Sequence, residues 1–200
     1  MDRYLVKDLK KHLLSFEAKK VGADGILSNY KGGDVGSLRR SFYSEEMAKT
    51  LFDRIKPLLP FIRSQQESFS PDAVSCPFWE AVGVNPLFRS IEYAAGGFLI
   101  PHYDAPVNFK ENLVTLMSAV FYLDDVNQSG RTRFLKGHDP EFKDHTKKAS
   151  EEDVKENVVA QAGDLLLFDH RLLHDGEDVK DSKHIIRTDI IFEGRGNGLI

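Results

Sequence analysis

An α+β fold, with N-terminal helices packed against a jelly-roll barrel, is what the sequence predicts, on three observations. Residues up to about 84 read as helical or irregular, short strand-like runs follow one another from about 85, and Gly, Asp, Asn and Pro clusters separate those runs with no strong amphipathic helix between them. A length of 200 residues suits one domain. The expected organisation is therefore a single domain, 1–200, with helical support over about 1–84 and the barrel over about 85–195.

The elements follow in order. The segment Lys31 to Gly36 is glycine-rich and polar, and reads as a loop. Ser44 is a good N-cap, Glu45 and Glu46 suit the first turn, and Met47, Leu51, Phe52, Ile55, Leu58 and Leu59 recur near a 3.6-residue period. Pro57 should fray the last turn and Pro60 end the helix. Strands are expected at Phe88–Ala94, Leu113–Leu123, Thr132–Leu135, Val158–Ala160, Asp164–Phe168 and Lys183–Phe192. The polar stretch from Gly137 to Asn157 reads as a loop or short helix at one barrel end.

Composition excludes several classes of function. Apolar residues make up 41% and charged residues 29%, an ordinary globular balance. The net charge is -4 with dispersed basic residues, which argues against nucleic acid or an anionic membrane as partner. Cys76 is the only cysteine, so an intrachain disulfide and a Cys-rich metal site are both ruled out, and a reducing compartment is expected. Met1 to Lys11 lacks the apolar core of a signal peptide, and no apolar run approaches the roughly 20 residues of a membrane span. A soluble, cytoplasmic protein is the expectation.

Chemistry concentrates in two places. His102 and Asp104 form an H-x-D pair after the apolar run Phe98–Pro101, and residues two apart in a strand share a face. Two imidazoles and one carboxylate on one side of an Fe(II) leave positions open for substrate and O2. The second imidazole must come from elsewhere in the chain, with His174 and His170 as the candidates. The other place is Arg187, inside the most hydrophobic strand of the chain. A guanidinium there needs a partner. Either Asp189, on the same face, supplies it, or Arg187 grips the carboxylate of a ligand, helped by the hydroxyls of Tyr122 and Tyr93.

Three blocks carry a resemblance. RSIEYAAGGFLIPHYD (Arg89 to Asp104), AVFYLDDVNQSGRTRFL (Ala119 to Leu135) and AGDLLLFDHRLLHDGEDVKDSKHIIRTDIIF (Ala162 to Phe192) resemble, in order and spacing, the prolyl 4-hydroxylase-type family of Fe(II)/2-oxoglutarate-dependent oxygenases. The resemblance covers about residues 85 to 193. It implies a double-stranded β-helix, a cupin-like jelly roll, with His102, Asp104 and His174 as iron ligands and His170 as an ordinary strand residue. It further implies that Arg187 binds the 5-carboxylate of 2-oxoglutarate, that Tyr122 lies near that carboxylate, that Tyr93 lines the iron pocket and that Thr132 lies in the co-substrate pocket. Ser129 replaces the first of a usual pair of glycines, and Asp181 stands where a turn glycine is common.

The activity so implied is hydroxylation of an unactivated C–H, in a protein prolyl residue or a small amino-acid-like molecule, with release of succinate and CO2. Fe(II), 2-oxoglutarate, O2 and ascorbate are the implied cofactors, and no residue beyond the iron ligands need act as a catalytic acid or base. Two rivals use the same barrel: a zinc enzyme of hydrolysis or isomerisation, and a metal-binding module without turnover. A serine hydrolase is not expected, since no G-x-S-x-G elbow occurs.

Overall fold

The computed structural model describes residues 10–11, 13–22, 36–60, 62–63, 78–126, 128–136 and 148–195. Cys76 and most of the glycine-rich segment before Gly36 lie outside them, as does the stretch 137–147. The described residues form two facing antiparallel sheets and a short helix, the double-stranded β-helix that the sequence predicts.

The larger sheet has nine strands. They are β1 (Lys19–Val21), β2 (Ser37–Tyr43), β3 (Ile62–Arg63), β4 (Phe78–Val84), β5 (Leu87–Ala94), β7 (Asn108–Lys110), β8 (Leu113–Tyr122), β11 (Leu165–Asp169) and β13 (Ser182–Arg195). The smaller sheet runs β10 (Val154–Val158), β9 (Thr132–Leu135), β12 (His174–Gly176), β6 (Leu99–His102). β13 is the spine: one edge pairs with β8, the other with β5 and then β4. Its Ile186, Ile190 and Phe192 pack into the core behind the sheet, while Lys183, Ile185, Arg187 and Asp189 on the opposite face turn into the space between the sheets.

Two cores follow from that layering. Between the sheets lie Ile91, Val120, Tyr122, Phe168 and Ile185, with Phe134 packed against them. Behind the larger sheet, Trp79, Phe88, Leu116, Ile190 and Phe192 meet the helix α1 (Glu45–Ile55) through Ala48, Leu51 and Ile55. The Met47 N–H donates to Ser44 Oγ at 3.1 Å, which caps the helix as its sequence requires. The α-helix stops at Ile55, ahead of Pro60, because Pro57 turns the chain into a 3-10 segment, Lys56–Leu58. Leu58, expected on the apolar face, is consequently 72% exposed.

The first 84 residues carry strands as well as a helix. In β2 the adjacent Arg39 and Arg40 hide the alternation: Arg40 points to the face where its Nη1 meets Glu92 at 2.8 Å, while Arg39 points to the opposite, inner face. β10 spans Val154–Val158 rather than Val158–Ala160, starting inside the expected 137–157 loop, after a 3-10 turn at Glu151–Asp153. Among the described residues it pairs with β9 alone, at the sheet edge, so Lys155 and Glu156 stay exposed and no apolar pattern marks it.

Candidate active site

His102 and His174 are direct cross-strand partners of β6 and β12, which brings their rings to 4.2 Å between centroids. Asp104 follows β6 by two residues. Its Oδ1 is 3.7 Å from His102 Nε2 and its Oδ2 is 3.7 Å from His174 Nε2. One donor atom from each of the three residues lies within 4.8 Å of the others, a cluster able to hold a metal ion. It sits in a cavity of about 270 Å³ between the two sheets.

The surroundings suit ligation. His102 Nδ1 is 2.8 Å from Ile100 O, and His174 Nδ1 is 2.9 Å from Leu172 O. A carbonyl only accepts, so both Nδ1 atoms carry the hydrogen and both Nε2 lone pairs are free to ligate. Burial lowers the pKa of His102, and burial with the neighbouring His102 ring pushes His174 down to about 4, so both rings are neutral. Burial acts to raise Asp104, but the Arg187 guanidinium, both imidazoles and Ser118 outweigh it and hold the carboxyl below its usual range. Ser118 Oγ donates to Asp104 Oδ2 at 2.5 Å. Phe168 packs edge-on against His174 at 4.7 Å and fixes its plane.

Thr132 lines the cavity, and its Oγ1 shares a hydrogen bond of 2.7 Å with Oη of the buried Tyr122. Burial raises the phenols of Tyr93 and Tyr122 to about 12, which keeps both neutral. Between them stands Lys183, which the sequence reading passed over. It is 4% exposed, and its Nζ lies 5.5 Å from the Tyr93 ring centroid and 5.6 Å from that of Tyr122. Burial pushes its pKa down to about 8, against a weaker opposing pull from Glu177 and Asp175. Among the described residues no carboxylate pairs with it.

Arg187 stands between two carboxylates. Its Nη1 lies 2.7 Å from Asp104 Oδ1 and its Nη2 lies 3.2 Å from Asp189 Oδ1, which agrees with the ion-pair alternative and adds Asp104 to it. Both basic residues line the same cavity, because Lys183, Ile185, Arg187 and Asp189 share one face of β13. That period of two was the signal pointing to Lys183. His170 is buried outside the cluster, its Nε2 3.5 Å from Asp189 Oδ1.

Fold and side chains together define a class: a double-stranded β-helix with a His-Asp-His cluster in its cup. No family model and no curated protein matches the chain. Among solved structures it is similar to a prolyl 4-hydroxylase of Pseudomonas putida, with 15% identity, coverage of 98% of this chain and 89% of the other, and a TM-score of 0.55. The viral collagen prolyl hydroxylase of Paramecium bursaria Chlorella virus-1, in its 2-oxoglutarate complex, is similar at 15% identity over 98% and 92% of the two chains, with a TM-score of 0.53. A third is SnoN, a non-heme α-ketoglutarate-dependent epimerase of nogalamycin biosynthesis, at 16% identity over 100% and 79%, with a TM-score of 0.55. The fold is thus that of prolyl hydroxylases and other 2-oxoglutarate/Fe(II) oxygenases.

Proposed function

We propose that this chain, acting as one domain over 1–200, is an Fe(II)- and 2-oxoglutarate-dependent oxygenase. It hydroxylates an unactivated C–H of a prolyl residue or a small amino-acid-like molecule. One observation carries this reading: a buried cation, Lys183, paired with no carboxylate among the described residues, lies in the same cavity as the His102–Asp104–His174 cluster. A cation so placed is costly without an anion, and a dicarboxylate whose other end chelates the metal would provide one.

His102, Asp104 and His174 would hold the ferrous ion, and Lys183 would take the far carboxylate of 2-oxoglutarate in the role expected of Arg187. The neutral Tyr93 and Tyr122 phenols and the Thr132 hydroxyl supply hydrogen bonds along that co-substrate. When bound, iron, 2-oxoglutarate and O2 supply the oxidising power, one oxygen atom entering the substrate C–H and the other leaving in succinate as CO2 is lost. Arg187 and Ser118 hold the Asp104 carboxylate ionised and oriented, while Phe168 and Leu99 line the cup and exclude water. Ascorbate would serve to keep the iron ferrous.

The test is incubation with Fe(II), 2-oxoglutarate and O2, following succinate. Succinate formed by the wild type and lost in His174→Ala supports the reading. Tight metal binding with no 2-oxoglutarate binding and no succinate replaces it with a non-catalytic or non-oxidative metal protein.

A further inference from the structure

Asp189 lies outside the His-Asp-His cluster and yet is only 1% exposed, a costly place for a carboxylate that holds no metal. Burial acts to raise its pKa, but His170, Arg187 and Arg89 outweigh that and hold it down to about 2, so it is ionised. Its two oxygens serve different cations. Arg187 Nη2 donates to Oδ1 at 3.2 Å and Arg89 Nη1 donates to Oδ2 at 3.4 Å, while His170 Nε2 stands 3.5 Å from Oδ1. Arg89 and Arg187 are direct cross-strand partners on β5 and β13, where like charges repel. The shared carboxylate offsets that repulsion.

The arrangement continues into the metal cluster. Arg187 Nη1 is 2.7 Å from Asp104 Oδ1, so charge alternates along Arg89, Asp189, Arg187 and Asp104. Arg187 Nε is buried with no hydrogen-bond partner among the described residues, which leaves the two carboxylates to aim the guanidinium. The other Asp104 oxygen is held by Ser118, and Ser118 on β8 is the register partner of Asp189 on β13. One cross-strand pair therefore stands behind both oxygens of Asp104. Ser118 touches Oδ2, and Asp189 reaches Oδ1 through Arg187.

A guanidinium beside a ligand carboxylate has two effects of opposite sign. Its charge keeps Asp104 ionised, which favours a bound cation, but the same charge repels that cation and competes for Oδ1. A second carboxylate on the far arm of the fork balances the charge and keeps Arg187 from closing over Oδ1. We propose that Asp189 is a positioning residue of the metal site, holding the Arg187 fork so that Asp104 faces the two imidazoles with its charge available to a divalent cation. The inference rests on the metal cluster of the oxygenase reading and on no other part of it. A carboxylate that merely stabilised the sheet would be missed equally with or without Arg187.

A double-mutant cycle read by Mn(II) electron paramagnetic resonance tests this. Asp189→Asn should raise the Mn(II) Kd about fivefold, less than the roughly tenfold expected of Arg187→Met. On an Arg187→Met background the same substitution should change the Kd less than about twofold. The spectrum of bound Mn(II) should shift alike in the two single variants. An unchanged Kd and spectrum in Asp189→Asn overturns the proposal and leaves the metal site standing. So does an equal loss on both backgrounds. Should Asp189→Asn fail to fold, Arg187→Lys replaces it, because an ammonium lacks the two-armed planar fork that spans both carboxylates. Its Kd should rise as in Arg187→Met, and wild-type affinity in Arg187→Lys overturns the proposal. A wild type that binds no Mn(II) removes the metal reading itself, and the proposal with it.

Discussion

The Arg187 guanidinium stands 2.7 Å from Asp104 Oδ1, so a residue that the family resemblance marks as a ligand anchor is an immediate neighbour of the His-Asp-His cluster. Lys183, four residues earlier on the same strand face, is the cavity cation that no carboxylate among the described residues pairs with. The two assignments separate cleanly. Lys183→Met should weaken 2-oxoglutarate binding by roughly 10- to 100-fold, the loss expected of one charge-assisted contact, and leave Mn(II) affinity within threefold. Arg187→Met should do the reverse, costing about tenfold in Mn(II) affinity. Calorimetry on both variants checks this, and a larger 2-oxoglutarate defect in Arg187→Met would restore the anchor to Arg187.

The choice between two histidines is equally open to measurement. His174 is the register partner of His102, whereas His170 lies beside Asp189. His174→Ala should abolish stoichiometric Mn(II) binding, measured by electron paramagnetic resonance, and His170→Ala should retain it. Metal binding that survives in the first and is lost in the second would place the site around Asp189.

Ser118 donates to the Asp104 oxygen that faces His174. Ser118→Ala removes that donor and leaves a buried carboxylate oxygen to reorient. Metal affinity should fall about tenfold, with the secondary structure unchanged by circular dichroism. An unaltered Kd would show that Arg187 alone sets the carboxylate.

Much of this was legible in the sequence because the barrel strands obey simple alternation. Thr132–Leu135 has the expected bounds, and H-x-D after an apolar run brought two of the three clustered side chains together. What escaped has physical causes. Adjacent Arg39 and Arg40 broke the alternation of β2 although each faces a different layer, and edge strand β10 is polar because one side is open. Lys183 and Arg187 are indistinguishable by spacing, since period two puts both in the cup. Only their neighbours, two carboxylates around Arg187 and two aromatic rings around Lys183, tell them apart.

Lys183 also ties stability to function. Its pKa falls from 10.5 to about 8 on folding, with burial as the main cause. Between those values the unfolded chain keeps a proton that the folded chain has released, so the lysine costs stability at neutral pH and the cost fades as pH rises from about 8 toward 10.5. Lys183→Met should therefore be more stable than wild type at pH 7, by about 1–3 kcal/mol in urea denaturation, with the gap closing above pH 8. The same protonation governs the ligand: 2-oxoglutarate affinity should be level below pH 8 and decline above it in the wild type, but stay level in Lys183→Arg. A Lys183→Met protein less stable than wild type would mean that the ammonium is satisfied within the fold, and the case for an anion beside it would fail.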